Sequence, residues 1–199
     1  LSDMVVDCDT FVFNPHKWLF VNFDFSAYFV KDKDALISTF EILPEYLKTS
    51  QGSSVNNYRD WGIQLGRRFR ALKAWFVIRG MGVAGLQERL RYHNSLAKII
   101  YDNVVESNDF ELLAPFSFNL VCFRYNPDRI GDNDALNQLN ESILSEINSN
   151  GKIFLTKTKL NGKIALRMVT GTTRVNENFV REAWDTIKST AEKIRLRSN

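Results

Sequence analysis

Few residues here could build crosslinks or metal clusters, since the 199-residue sequence holds two cysteines and two histidines. Cys8 and Cys122 are too few and too far apart for a disulfide framework, so both are expected to be small buried hydrophobes in a reducing compartment. A metal cluster is not expected from so small a donor set. No apolar run approaches the roughly 20 residues that span a bilayer, and Leu1-Ser2-Asp3-Met4 lacks a charged segment followed by an apolar one. The expectation is an unexported, cytoplasmic chain with no membrane partner. An excess of one charge is lacking too: 26 Lys and Arg face 23 Asp and Glu, and the signs alternate, which argues against a nucleic-acid partner. There is no initiator methionine, and the run from Val5 to Phe13 already reads as extended, so the chain is expected to begin inside a domain.

What is present is apolar: 44% hydrophobic and 13% aromatic residues can bury a sizeable core. Residues 5–30 alternate β-branched and aromatic runs around Asn14-Pro15, which predicts two buried strands flanking a turn, the second near Phe25 to Val30. From Lys31 to Tyr58 the pattern loosens, and Thr49 to Ser54 has the composition of a mobile loop. Phe69, Leu72, Trp75, Phe76 and Ile78 predict a short, largely buried helix ending at Gly80-Met81-Gly82. Leu86, Leu90, His93, Ala97, Ile100 and Val104 then fall on one face of a long helix, with His93 read as a core residue rather than a ligand. A strand is expected over Phe118 to Tyr125, a helix through Leu136, Leu139, Ile143 and Ile147 ended by Asn150-Gly151, and a last helix through Val180, Trp184, Ile187 and Ile194. Ile153 to Leu160 and Lys163 to Thr170, joined by Asn161-Gly162, read as a hairpin. This order predicts an α/β domain with helices on one face of a mostly antiparallel sheet, beginning near Lys73.

The segment Asn14-Pro15-His16-Lys17-Trp18 places a lysine at a turn between an imidazole and an indole, where burial would favour the neutral amine. A neutral amine condenses with an aldehyde. On these residues alone, Lys17 also reads as an ordinary surface lysine at a turn, and periodicity does not overturn that reading.

Two longer blocks do. FNPHKWLFVNFDFSAYFVKD, residues 13–32, resembles the cofactor-lysine segment of the group II pyridoxal-phosphate-dependent amino-acid decarboxylases. NYRDWGIQLGRRFRALKAWFVIRGMGVAGLQ, residues 57–87, is similar to a dimer-contacting stretch of their aromatic branch. LVCFRY at Leu120–Tyr125 and KIALRMV at Lys163–Val169 also resemble that branch. The resemblance implies fold-type I of the pyridoxal-phosphate-dependent transferases, with residues 1–72 closing the large cofactor domain and 73–199 forming the small carboxyl-terminal domain.

It also implies roles. Lys17 would hold pyridoxal 5'-phosphate as a Schiff base, and His16 would position cofactor and lysine. Tyr46, in Pro44-Glu45-Tyr46-Leu47-Lys48, matches the loop tyrosine that protonates the substrate carbon, where relatives with phenylalanine are associated with oxidative deamination to an aldehyde. Phe23 and Gly66 match positions that reach the neighbouring subunit's site, the glycine near the cofactor phosphate, which implies a homodimer. Arg167 matches a substrate-carboxylate ligand of the glutamate branch, a role that stands beside that of an arginine tying the domains together. Arg67, Arg68 and Arg70 read as salt-bridged or phosphate-adjacent. Gln64 departs from the family, which commonly has proline there. The aspartate for the pyridine nitrogen, the stacking histidine and most of the substrate pocket would lie in an upstream half of the same enzyme, without which this chain is expected to be inactive. Trp18 resembles the aromatic and histidine branches more than the glutamate branch.

Decarboxylation of an aromatic L-amino acid is therefore the leading expectation. A decarboxylase of histidine, glutamate or diaminobutyrate, an aldehyde synthase, and a non-catalytic module that binds a partner through its basic helix start remain open beside it.

Overall fold

The structure is a computed structural model that describes residues 5–42, 55–129 and 131–198. The chain divides into two compact units, residues 1–86 and 87–199.

In the first unit, β1 (Thr10–Phe13) pairs antiparallel with β2 (Ala27–Val30), with Thr10 opposite Val30 and Phe13 opposite Ala27. Val5 and Val6 are helical instead of extended. Between the strands, Pro15 opens a one-turn helix α1 (Pro15–Trp18), where its missing N–H costs nothing. The strands are not buried as expected: Val12 and Phe29 are 59% and 57% exposed. A two-stranded ribbon has two faces, and the described residues of this unit supply no layer over them. Phe11, Phe13 and Phe29 instead pack against one another, with Phe13 and Phe29 parallel at 6.1 Å and Phe11 tilted against both. Cys8 is likewise exposed, so its reading as a buried hydrophobe fails, while Cys122 is buried.

A second departure comes after the ribbon. Where the pattern loosens beyond Lys31, Asp32 caps a helix α2 (Lys33–Phe40), its carboxylate accepting from the Asp34 and Ala35 amides at 3.0 Å. Residues 43–54, including the expected mobile loop, lie outside the described residues. Helix α3 (Arg70–Glu106) is broken at Gly82, whose φ of 68° suits glycine, as the Gly80-Met81-Gly82 reading predicts. Its first part is not largely buried: Trp75 and Phe76 are more than half exposed, because nothing described in residues 1–86 covers that face.

The second unit is organised by burial. Strands β3 (Phe110–Leu112), β4 (Leu120–Tyr125), β5 (Thr156–Leu160) and β6 (Lys163–Val169) form one antiparallel sheet in the order β3-β4-β6-β5. Val121, Phe123 and Tyr125 of β4, with Leu166 and Met168 of β6, join one core with Leu96, Ala97, Ile100 and Val104 of α3. Ile143 and Ile147 of α4 (Asn133–Ser149) and Trp184 and Ile187 of α5 (Glu177–Ser198) complete it. Alternation along the strands puts these residues on a single face, so the helices lie on one side of the sheet. Positive φ at Asn161 (49°) and Gly162 (80°) closes the β5–β6 hairpin in the primed turn that Asn-Gly favours. Buried Asn140 is satisfied, its amide bridging the Tyr125 N–H and C=O at 2.8 Å each.

His93 is fully buried on α3, and Thr170 Oγ1 donates to its carbonyl at 2.8 Å. Burial, and secondarily the charge of Arg89, holds the imidazole below its ordinary value of 6.5, against a backbone hydrogen bond with Thr172. The unfolded chain then takes up a proton first as the pH falls. The stability that neutral His93 contributes is full above pH 6.5 and is lost progressively below it. Melting temperatures between pH 7.5 and 5 should therefore fall less steeply for His93→Gln than for the wild type, and equal slopes would show that His93 does not set the acid limb.

Candidate active site

Asn14, at the amino end of α1, turns its side chain across the connection instead of capping the helix. Its Oδ1 accepts from Ser26 Oγ at 2.5 Å, tying the end of β1 to the start of β2. The Lys17 amide donates to the Asn14 carbonyl at 2.9 Å, and the Leu19 amide to the Pro15 carbonyl at 3.1 Å. Pro15 and Val21 are buried and anchor the connection on the unit.

His16 is fixed from both sides. Its Nδ1 lies 2.6 Å from the Phe25 carbonyl oxygen and 3.2 Å from the Phe25 nitrogen. The shorter contact is to an atom that can only accept, which favours the tautomer with its hydrogen on Nδ1 and a lone pair on Nε2, although the Phe25 N–H also points to Nδ1. The Phe23 ring meets His16 edge-on, with centroids 5.1 Å apart and planes at 80°. The Phe23–Asp24 peptide is cis.

Lys17 is exposed, so the burial expected for it is not supplied by the described residues. Its backbone is nevertheless fixed on both sides, and its amine is open to a reagent. That combination suits a lysine that must bond covalently to an aldehyde. Gly66 is exposed as well, and a Cβ there would meet nothing within 4 Å, which leaves its backbone open to a close approach.

Of the six residues singled out in the sequence, Lys17, His16 and Phe23 are together on this connection, and Gly66 belongs to the same unit. Tyr46 lies outside the described residues. Arg167 belongs to the second unit: it sits mid-strand on β6, opposite Cys122 on β4 and Thr156 on β5, and its Nη1 is 3.4 Å from Thr156 Oγ1. Since Leu166 and Met168 face the core, Arg167 faces away from the helices. An open cleft of about 400 Å³ in that unit, bounded by Leu155, Met168, Phe179 and Val180 with Arg174 at its edge, contains none of the six.

The sequence reading missed Asp24. Arg70 Nε and Nη2 both donate to its Oδ2, at 3.0 and 2.9 Å, and Lys73 Nζ lies 4.0 Å from Oδ1. This holds the Asp24 carboxyl below the usual carboxylate range, chiefly through the Arg70 hydrogen bonds. Of the arginine cluster, Arg70 is thus salt-bridged as expected. No local pattern pointed to Asp24, because its partner is 46 residues away.

Comparison with known proteins brings these features under one family. Residues 3–126 match the pyridoxal-dependent decarboxylase conserved domain. The chain is 43% identical to tyrosine decarboxylase 2 of Arabidopsis thaliana over 96% of its length and 35% of that protein's. It is 42% identical to a phenylacetaldehyde synthase of the same plant, over 96% of the chain and 39% of that protein. The crystal structure of Oryza sativa TDC with PLP and tryptamine superposes with a TM-score of 0.92 at 34% identity, across 96% of this chain and 40% of that one. The chain thus spans well under half the length of these relatives. By the conserved domain that covers most of it, and by a fold shared with these fold-type I structures, the chain belongs to the pyridoxal-dependent decarboxylase family.

Proposed function

We propose that the protein containing this chain decarboxylates an L-amino acid, an aromatic one, to the amine and carbon dioxide, with pyridoxal 5'-phosphate carried on Lys17. The observation that carries this reading is a lysine on a hydrogen-bonded turn beside a held imidazole, inside the segment matched by the family domain. Bound there, the cofactor supplies a pyridine ring that accepts the electron pair left as the bond from Cα to the carboxylate breaks.

This chain's residues do the rest by placement. The Lys17 amine would hold the cofactor covalently. His16, with its hydrogen on Nδ1 in the favoured tautomer, presents Nε2 as an acceptor beside the anchor. Gly66 leaves room for a phosphate to approach the backbone. Arg167, held on a paired strand, is suited to a carboxylate through its forked guanidinium, which would set the orientation that bond cleavage needs. Phe23, 82% exposed, is free to line a neighbouring subunit's pocket in a homodimer, and the uncovered face of Phe69, Trp75 and Phe76 supports such pairing. The partner of the pyridine nitrogen is assigned to an upstream half of the same enzyme, and the location to the cytoplasm.

Tyr46 is assigned the proton delivered to Cα. A second reading, oxidative conversion to an aldehyde, is favoured by the similarity to an aldehyde synthase, and Tyr46 is what argues against it.

Three outcomes test this. In the protein that contains this chain, incubation with pyridoxal 5'-phosphate and reduction by borohydride should leave the pyridoxyl group on the Lys17 peptide and nowhere in Lys17→Ala; a colourless protein with cofactor in excess would sink the enzyme reading. Amine release should be found with tyrosine, tryptophan or dihydroxyphenylalanine, and activity confined to glutamate or diaminobutyrate would overturn the inference from Trp18. Tyr46→Phe should keep cofactor binding yet slow amine release by roughly 10²-fold, the scale of losing a positioned general acid, while aldehyde, ammonia and hydrogen peroxide appear at the expense of dioxygen. Unchanged amine yield without aldehyde would leave Tyr46 as a lid residue.

A further inference from the structure

Three consecutive residues run past the lysine turn as a strap. Phe23 contributes its ring to the edge of His16, and Phe25 contributes its carbonyl to His16 Nδ1. Asp24, between them, reaches instead to the start of α3, where Arg70 grips one carboxylate oxygen with two donors and Lys73 stands near the other. Thus the atoms that orient His16 belong to a segment whose middle residue is held from elsewhere in the same unit. An arginine presenting two donors restrains direction as well as distance, which a single ammonium does not.

We propose that Asp24 and Arg70 are a positioning pair for the cofactor lysine: their contact holds the strap, the strap holds the His16 ring, and His16 is the backbone neighbour of Lys17. The proposal rests on Lys17 carrying the cofactor and adds two residues to that function. Neither touches the lysine, so both act through His16 and the turn. Both side chains are about one-third exposed, which limits the contact to a modest effect and makes it sensitive to salt. Lys73 keeps part of the attraction when Arg70 is lost, so removing the carboxylate should be the more damaging change.

The experiment uses the protein that contains this chain, stripped of cofactor and titrated with pyridoxal 5'-phosphate. Asp24→Asn should weaken binding by roughly five-fold, the range of a partly exposed ion pair, and Arg70→Met by less. Arg70→Lys should recover most of the loss. Hydrogen exchange, measured before cofactor is added, should quicken for the amides of residues 16–26 in Asp24→Asn, while exchange in residues 87–199 and the melting temperature stay at wild-type values. The double variant should be no worse than Asp24→Asn alone, as expected of residues acting through one contact. Unchanged affinity and unchanged exchange in both single variants overturn the proposal. So does faster exchange throughout residues 5–86, which would make the pair a general brace. Failure of the wild type to take up the cofactor on Lys17 overturns the proposed function, and the exchange measurement then decides separately whether the pair holds the strap.

Discussion

The contact between His16 Nδ1 and the Phe25 carbonyl closes the chain around the candidate lysine, and the geometry of the first unit's site depends on it. Break it, and two things loosen together: the imidazole loses its tautomer and direction, and residues 23–25 lose one of their two attachments. The Asn14–Ser26 bond spans the same connection just outside it, two residues before His16 and one after Phe25, so the two ties are nested. A hydrogen bond of this kind is worth about 1 kcal/mol net, comparable to the cost of ordering a single residue. Such ties cannot by themselves fold a connection of this length. They select one arrangement of a segment already brought together by the pairing of β1 with β2 and by burial of Pro15 and Val21.

The second unit is governed by the opposite logic, and Arg167 shows how. Strand β6 must turn Leu166 and Met168 toward the helices to join Phe123 and Val121, its register partners. With a period of two, the residue between them has no choice of face. The guanidinium is therefore aimed by the packing of its neighbours, not by any bond of its own, since its contact with Thr156 is long. On the same face Arg124 pairs with Glu111, whose carboxyl stays below the usual range: burial raises it, and the hydrogen bonds from Arg124 and Asn126 outweigh that. A charged residue placed this way keeps its direction as long as the core holds.

Legibility in the sequence depends on how local the determining physics is. The Asn161-Gly162 hairpin, the Asn150-Gly151 helix end and the Gly82 break are each decided by the backbone freedom of one or two residues, and all three stand where expected. The amphipathic faces of α4 and α5 are legible because their core residues recur within the helix itself. Helix α2 was missed because it is only eight residues long and its start depends on one cap, Asp32. The three residues of β3 are too few to carry a period. Burial of the β1–β2 ribbon and of the Trp75 face was misjudged because an apolar pattern says that a surface wants covering, not that neighbours in the same chain cover it. For the site, the motif around Lys17 was legible through family likeness. The hydrogen-bonded ties that shape it were not, since Phe25 and Asp24 act through partners that no local spacing marks.

Under the proposed reaction, the fold leaves the final outcome undecided until the last proton moves. A tyrosine decarboxylase and an aldehyde synthase resemble this chain almost equally, so overall likeness does not choose between the two chemistries. Loss of carbon dioxide leaves an electron-rich carbon in either case. A proton donor positioned at that carbon, the role proposed for Tyr46, would compete with dioxygen arriving by diffusion with the advantage that positioning confers. Replacing it with a phenyl ring keeps the shape and removes the reactant. Under the role proposed for Tyr46, one oxygen atom at residue 46 would choose between two outcomes that similarity across the whole chain, 43% against 42%, does not separate.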